Sequence, residues 1–178
     1  MQSVRIINSN TDYCKNMTLD EKDVSILQLL QQNDRITVKD LSEQVHLSSS
    51  PTFGRQKKME REGIIKRYAA ILDYKKAGNG FIVLCQIQLK EQTKECANLF
   101  YDAISRLPEV TECYNVSGEF DYVIKIYLRD MSHYEVFVYN HLSVITSISK
   151  YKSTFVIAEI KNTNILPVYP SDKEEYNK

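Results

Sequence analysis

The sequence predicts an α+β fold in which an amino-terminal helix-turn-helix domain of winged-helix-like type precedes a carboxy-terminal ferredoxin-like βαββαβ domain. Two observations predict this fold. From residue 18 to residue 63, apolar side chains recur every three to four residues, which is the period of an amphipathic helix. After residue 80, strand-like runs and two helical stretches follow one another in the order β-α-β-β-α-β.

The length of 178 residues fits one medium domain or two small ones, and the 43% of apolar residues is ordinary for a protein with a packed core. The changes in sequence pattern divide the chain into five segments: a flexible extension (1–17), the helix-turn-helix domain (18–63), a strand and linker (64–80), the ferredoxin-like domain (81–164) and a tail (165–178). No run approaches the ~18 apolar residues of a membrane span, and the first residues lack a secretory signal. We therefore expect a cytoplasmic protein without a membrane partner.

The first two predicted helices each begin at a capping residue. Thr18 and Glu21 fit a capping box, and the apolar stripe after them predicts a helix ending near Asn33. Thr37 can cap the second helix, which runs to about Val45.

The third predicted helix completes the helix-turn-helix. The triplet Ser48–Ser50 supplies its N-cap, and Pro51 fits the first helical position, where its missing N–H is harmless. The helix ends at Glu62, and Gly63 suits the stop. A helix in this place is sized for the ~12 Å major groove of B-DNA.

Charge on the third helix points to duplex DNA as a partner. The whole chain has a net charge of zero, but residues 35–67 contain eight basic and four acidic residues. At about 100° per residue, Arg55 and Lys58 fall opposite Phe53, Gln56 and Met59, which predicts a basic outward face. Candidate DNA-binding residues are Ser48, Ser49, Ser50, Thr52, Arg55, Lys57, Lys58 and Arg61. The alternative is that these charges only solvate one face of a small helical bundle.

The rest of the chain predicts a linking strand and a four-stranded sheet with two helices. Residues 64–72 are strand-like and precede a glycine-containing linker. The predicted sheet strands are 81–89, 110–116, 122–128 and 148–160. One helix continues to Leu107, and a capping box with Ser132 and Glu135 begins the other. The open face of such a sheet needs a cover, so we expect at least a dimer.

Several stretches in this order resemble the Lrp/AsnC family of leucine- and asparagine-responsive regulators. They are LDEKDVSILQLLQQNDRITVKDLSEQV, MEREGIIKRYAAIL, VSGEFDYVIKI and RDMSHYEVF. The resemblance spans residues 18–164, and several motifs in the correct order are far more specific than one. It implies a sequence-specific DNA-binding transcription regulator, associated with the nucleoid and without a cofactor.

The resemblance also implies homo-oligomers and an effector. Dimers would join through their sheets and assemble into a tetramer or octamer of dimers, with an amino acid or related metabolite bound between dimers. By analogy, the effector-binding residues would be Val116, Ser117, Gly118, Asp121, Tyr151 and Ser153, the last two from a neighbouring strand. Asp121 could pair with the ammonium group of an amino acid.

The sequence departs from the family pattern at the turn between the helices and in the third helix. His46 stands where the family usually has glycine, and Gln56 where the residue is usually apolar. Tyr151 and Ser153 replace a pair of small hydroxyl residues in the last strand, which predicts a narrower pocket or a different effector.

Other functions remain as alternatives. The protein could be a regulator without a ligand, a protein-interaction module built on the same helices, a ferredoxin-like enzyme or an RNA platform. We expect no enzyme, because His46, His133 and His141 have no metal-ligand partners at useful spacing and no glycine-rich phosphate loop is present. The basic-glycine-aromatic strand motif of RNA-binding sheets is also missing.

Overall fold

A computed structural model of the protein describes residues 18–171. The predicted extension 1–17 and the last seven residues of the predicted tail lie outside the described residues. Contacts divide the described chain into two units. We call residues 18–70 together with 162–171 the helical unit, and residues 71–161 the sheet unit.

The helical unit contains three helices, α1 (Glu21–Gln32), α2 (Val38–Gln44) and α3 (Ser49–Arg61). Their apolar stripes meet in one core, as the sequence period predicts. The buried core residues are Ile26, Leu27, Leu30, Leu41, Val45 and Met59.

The cap of α1 differs from the prediction. Asp20 is the N-cap, and its side chain accepts a hydrogen bond from the N–H of Asp23 (2.9 Å). The side chain of Asp23 accepts in turn from the N–H of Asp20 (3.2 Å), so the capping box predicted at Thr18 and Glu21 is wrong. An aspartate is at least as good an N-cap as a threonine, and here a reciprocating carboxylate lies three residues later. The predicted cap of α2 at Thr37 is confirmed.

Three residues at or near the ends of α3 have a restricted or left-handed backbone: Pro51, His46 and Gly63. Ser48 is the N-cap, so Pro51 occupies the third helical position and not the predicted first one. This position costs nothing, because the first four N–H groups of a helix have no partner within it. His46, in the turn before α3, and Gly63, after it, have φ values of 55° and 77°. The left-handed backbone at Gly63 confirms the predicted helix stop.

The strand predicted at residues 64–72 is absent. The N–H groups of Ile64 and Ile65 donate to the carbonyl of Met59 at 3.0 and 3.1 Å, and most of the following residues are exposed. A strand needs a neighbour to pair with its backbone, and the described chain brings none to this segment. The strand-like residues of this segment therefore predicted an extended chain but not its pairing.

The sheet unit contains the predicted βαββαβ order. Its elements are β1 (Phe81–Leu89), α4 (Lys94–Ile104), β2 (Val110–Asn115), β3 (Tyr122–Leu128), α5 (Met131–Phe137) and β4 (Ile148–Phe155). A π-helical turn, Val138–Leu142, extends α5. Asp130 caps α5 in place of the predicted Ser132, and β4 ends at Phe155, five residues before the predicted end.

All strand pairs are antiparallel, in the order β2-β3-β1-β4. Cys85 at the centre of β1 lies opposite Ile124 on one side and Ser153 on the other. Alternate residues of β1 and β3 pack with Phe100 of α4 and Phe137 of α5 in one buried core, which places both helices on one face of the sheet. None of the described helices is long and apolar enough to cross a membrane.

Candidate DNA-binding helix and effector cavity

The inner face of α3 is set by four residues at helical spacing. Thr52 and Met59 are fully buried, while Arg55 and Gln56 between them are partly buried. Phe53, predicted to face inward, is 48% exposed. The predicted orientation of α3 is therefore wrong at Phe53 and Arg55, whereas Met59 is buried and Lys58 is exposed as predicted. Polar residues occupy much of its inner stripe, and a search for apolar period alone cannot detect them.

Thr52 belongs to the interior and not to a DNA-binding surface. Its side chain is buried, and its hydroxyl donates to the carbonyl of Ser48 at 3.0 Å. The bond satisfies the only donor of a hydroxyl that has no access to solvent. The predicted contact of Thr52 with DNA is corrected to a structural role at the start of α3.

Arg55 points toward α1 and not outward as predicted. Its Nη1 lies 2.6 Å from Asp20 Oδ2 and 2.7 Å from Asp23 Oδ1. The N–H of Asp23, together with the Arg55 guanidinium, holds the pKa of the Asp20 carboxyl below its usual value. Hydrogen bonds to Asp23 and Asp20 raise the pKa of Arg55. One guanidinium thus ties α3 to the capping box of α1 through two charge-assisted hydrogen bonds.

Gln56 also has an internal partner. Its Nε2 donates to the hydroxyl of Tyr68 (2.7 Å), and that hydroxyl donates to Glu60 Oε1 (3.1 Å). The bonds attach the extended segment after α3 to the helix itself. Gln56 is therefore accommodated on the inner stripe by a polar partner.

The cations of α3 that remain exposed are Lys57, Lys58 and Arg61. Lys57 pairs with Glu60 at 2.6 Å and Arg61 with Glu62 at 3.5 Å, both on the surface. The hydrogen bond from Lys57 lowers the pKa of Glu60. Lys58 forms no salt bridge within residues 18–171. Exposed ion pairs contribute little to stability, so a phosphate can replace either carboxylate at small cost.

The amino-terminal end of α3 offers polar groups beside these cations. Ser48 makes no side-chain capping bond, and Ser49 Oγ lies 3.3 Å from Ser42 Oγ. Ser48, Ser49 and Ser50 are all exposed. The unpaired N–H groups of a helix start carry partial positive charge and suit a phosphate oxygen.

The sheet unit contains a cavity of about 380 Å³ at the edge where β1 ends and β3 begins. This volume lies within the ~300–1,000 Å³ range of small-molecule sites. We call it the effector cavity. Its lining residues are Leu89, Gln92, Thr93, Lys94, Ala97, Asn115, Val116, Asp121 and Tyr122.

Asp121 is held firmly in the wall of this cavity. Its Oδ2 accepts a hydrogen bond from the N–H of Leu89 (2.8 Å), and its Oδ1 accepts one from Gln92 Nε2 (3.1 Å). Asn115 Nδ2 donates to the backbone carbonyl of Asp121 at 2.8 Å. A carboxylate has about four acceptor sites, so two bonds leave it able to accept from a bound ammonium group.

Tyr122 forms another polar part of the wall. Its hydroxyl lies 2.9 Å from that of Tyr101, and its ring packs against Phe100. Burial raises the pKa of Tyr122, so its hydroxyl stays neutral at physiological pH. The cavity therefore combines one anchored anion and the cation of Lys94 with neutral hydrogen-bonding groups and the apolar side chains of Leu89 and Ala97.

The structure brings together only some of the predicted effector-binding residues. Val116 and Asp121 line the cavity, whereas Ser117 and Gly118 lie in the same loop but not in its lining. Gly118 has φ 125°, a left-handed conformation that favours glycine.

Tyr151 and Ser153 lie on β4, away from the lining. Tyr151 is opposite Ile87, and Ile87 is in turn opposite Tyr122, so Tyr151 is two strand spacings, about 10 Å, from Tyr122 in the cavity wall. Ser153 Oγ contacts Cys85 Sγ at 3.6 Å. Within one chain, neither residue contributes to this cavity.

The residues on the α4 side of the wall were not predicted from the sequence. Gln92, Thr93 and Lys94 lie where the chain leaves β1 and enters α4. The predicted strand order nevertheless implied that these residues would lie beside the loop before β3. Because β1 and β3 are antiparallel, the end of β1 lies beside the loop that precedes β3.

Two family models match the chain. Residues 82–166 match the Lrp/AsnC ligand binding domain, and residues 19–66 match a winged helix-turn-helix DNA-binding domain. The first match contains the effector cavity, and the second contains α1, α2 and α3.

Curated proteins similar to this chain include two bacterial regulators. The transcriptional regulator AzlB of Bacillus subtilis is 35% identical over 150 residues, which cover 84% of this chain and 96% of AzlB. The leucine-responsive regulatory protein of Haemophilus influenzae is 34% identical over 152 residues, which cover 85% of this chain and 92% of that protein.

Solved structures of two transcriptional regulators are also similar to this chain. A transcriptional regulator from Neisseria meningitidis, in complex with L-methionine, superposes with a TM-score of 0.81 at 36% identity, covering 84% of this chain and 97% of that one. An AsnC family transcriptional regulator from Agrobacterium tumefaciens gives 0.80 at 34% identity, with the same two coverages.

Proposed function

This chain belongs to the Lrp/AsnC family, and from that premise we propose that α3 binds duplex DNA through its exposed cations while the effector cavity binds an amino acid. The protein is a DNA-binding transcription regulator of this family, with a helix-turn-helix domain and a ligand-binding domain. Each of the two activities is assigned to particular residues of its domain.

The DNA-binding part of the proposal depends mainly on the surface cations of α3. Lys57, Lys58 and Arg61 would neutralise phosphates, and Ser48–Ser50 at the helix start would donate hydrogen bonds to the DNA backbone. Arg55 would act as a positioning residue, because its guanidinium is bound to two carboxylates of α1. It would hold α3 at the angle needed for the groove.

The assembly part of the proposal depends on the open face of the sheet. Leu84 is 38% exposed and Tyr114 56% exposed on strands whose other face forms the core. We propose that a second copy covers this face, giving a dimer that further associates into a tetramer or octamer of dimers. Two α3 helices would then bind two half-sites about one DNA turn apart, which favours palindromic operators.

The effector part depends on Asp121. We propose that its carboxylate accepts the ammonium group of an amino acid, while Leu89, Ala97 and Val116 contact the side chain. The related Neisseria regulator forms a complex with L-methionine, which supports an amino acid here. Residues from another subunit, including Tyr151 and Ser153 of β4, would complete the site between dimers. Ser117 and Gly118 would shape the loop around the ligand.

Binding to DNA also implies where the protein acts. A regulator that binds duplex DNA works where the chromosome lies, so we infer a cytoplasmic, nucleoid-associated location. The amino-acid effector is the only small molecule in this scheme, which uses no cofactor and no catalytic step.

Salt-dependent binding tests the DNA-contacting residues. A duplex is first selected from a random library with the wild-type protein, and its affinity is then measured over a range of salt concentrations. We expect Lys58→Ala to weaken binding and to reduce the slope of log K against log salt by about one, because one phosphate contact is lost.

Lys76→Ala is the matched control, since it removes an exposed lysine of the linker that pairs only weakly with Asp73 (3.8 Å). It should bind as the wild type does. Failure to enrich any duplex would favour the protein-interaction alternative, and an unchanged slope for Lys58→Ala would exclude Lys58 as a phosphate contact.

A further inference from the structure

The carboxy-terminal segment packs against the helices and not against the sheet that precedes it. Residues 162–171, which we call the strap, contain no helix or strand, and nearly all of them are exposed. By their contacts they nevertheless belong to the helical unit, although β4 of the sheet unit precedes them in sequence.

Two pairs of hydrogen bonds attach the strap to α1. The N–H of Leu166 donates to Gln31 Oε1 (2.7 Å), and Gln31 Nε2 donates back to the Leu166 carbonyl (3.1 Å). At the other end, the N–H of Ser171 donates to the Leu19 carbonyl (2.9 Å), and the N–H of Leu19 donates to Ser171 Oγ (2.8 Å). Between these pairs, Val168 packs on the helical core.

The lengths of the two segments match. The twelve residue steps from Leu19 to Gln31 span about 18 Å at the helical rise. The five steps from Leu166 to Ser171 span about 17 Å when extended. Because Leu166 lies at the end of α1 and Ser171 at its start, the strap runs antiparallel to the helix. Pro167 and Pro170 restrict the backbone of this segment, which lowers the entropy lost on docking.

The strap ends next to the part of α1 that holds α3. Pro170 and Ser171 line the same cavity as Asp20, Arg55 and Lys58. The Leu19 bonds immediately precede the N-cap of α1, whose carboxylate binds Arg55. A displacement of the strap would therefore act on α1 at the point where Arg55 attaches α3.

The docking of the strap changes how the chain connects its two units. Within the described residues, the chain passes between them at residues 70–71 and at residues 161–162. With the strap released, only the first of these two connections would restrain the helical unit. With it docked, two covalent connections do so, and a second tether reduces the range of orientations that the unit can sample.

We propose that the strap is a second tether that fixes the orientation of the helical unit and so sets the spacing of the two α3 helices in a dimer. This inference rests on the proposed function, in which two α3 helices bind two half-sites. Binding of the second half-site depends on the effective concentration of the second helix, which is highest when its position is fixed in advance. The strap should therefore strengthen binding to a complete site and leave binding to a single half-site unchanged.

The test compares a full selected duplex with a duplex that contains one half-site. The full-length double variant Gln31→Ala and Val168→Ser removes one hydrogen-bond pair and the apolar contact. We expect its gain in affinity from half-site to full site to fall about tenfold relative to the wild type, with an unchanged half-site Kd. Its matched control is Gln32→Ala with Tyr169→Ser, which alters the exposed neighbours of the same two residues.

The outcomes separate the strap from the function on which it rests. The tether would be supported if the control variant gains as much affinity from half-site to full site as the wild type and the double variant does not. The tether would be overturned if the double variant gains as much affinity from half-site to full site as the wild type does. It would also be overturned if the double variant loses affinity equally for both duplexes, because an equal loss indicates a purely structural role. A wild type without any gain for the full site would instead refute the dimeric DNA-binding scheme, and the tether with it.

Discussion

At the scale of single residues, Arg55 determines which side of α3 faces the solvent. Charge and period on the sequence place it outward with Lys58, yet it bonds to Asp20 and Asp23. Those carboxylates precede it by more than thirty residues, so helical period could not reveal them. Lys58, by contrast, was predicted outward and is exposed there, and it forms no salt bridge within residues 18–171.

Loss of the Arg55 guanidinium should destabilise the helical unit. The Asp23 side chain is only 6% exposed, so Arg55→Gln leaves a nearly buried carboxylate without its cation. We expect a loss of about 1–2 kcal/mol in the free energy of unfolding, below the value for a fully buried pair because Arg55 itself is one-third exposed. Urea unfolding followed by circular dichroism measures this change.

Lys57→Gln is the matched control for this prediction. It also removes a cation of α3 that is paired with a carboxylate, but both partners lie on the surface. Its unfolding curve should match that of the wild type. Equal losses for the two variants would show that Arg55 is no more than a surface charge.

At the scale of elements, alternation and capping predicted much of the fold. The bounds of β1 and β3 agree with the sequence because their alternate residues are buried on the core face. The segment 64–72 is also strand-like in sequence but has no neighbouring strand in the described chain, and pairing is a long-range property that local sequence does not contain. The N-caps of α1 and α5 were misplaced because several adjacent Ser, Thr and Asp residues can all serve as caps.

Two glycines differ in the space available for an added Cβ, and this difference gives a prediction at the scale of elements. A Cβ at Gly54, in the middle of α3, would meet no atom within 4 Å, whereas one at Gly80 would lie 2.1 Å from the carbonyl oxygen of Arg129. Gly54→Ala should stabilise α3 by about 0.5–1 kcal/mol, since alanine has the higher helix propensity.

Gly80→Ala should destabilise the protein by about 1–3 kcal/mol, because the backbone of β1 must move away from the end of β3. Thermal unfolding of the two variants checks the pair. We expect melting temperatures that change in opposite directions. A melting temperature that rises for Gly80→Ala would contradict the close approach at the start of β1.

At the scale of the whole molecule, the order of motifs predicted the architecture and the family, whereas the strap was not predicted. Its bonds join residues 135 and 152 positions apart in the sequence, and each of the four has a backbone atom, which carries no residue signature, on at least one side. The effector cavity was predicted in part. Asp121 and Val116 were named by resemblance, while the α4 side of the wall follows from the antiparallel pairing of β1 and β3.

Regulation by an effector requires that the two units influence each other. An amino acid in the effector cavity must change the affinity of α3 for DNA, and the change equals the difference in ligand affinity between the two states of the assembly. Asp121→Asn keeps an oxygen that can accept from Leu89 N–H but removes the charge that we assign to the ammonium group. Glu119→Gln, in the same loop but outside the cavity lining, is its control.

The most direct test is the Kd for the selected duplex with and without the amino acid that most raises the melting temperature of the wild type in a screen that includes L-methionine. We predict that this ligand changes the duplex Kd about 5- to 150-fold for the wild type and for Glu119→Gln. Asp121→Asn should show no change, with the same Kd as the ligand-free wild type. A ligand that stabilises the wild type but leaves its duplex Kd unchanged would contradict the coupling between effector cavity and α3.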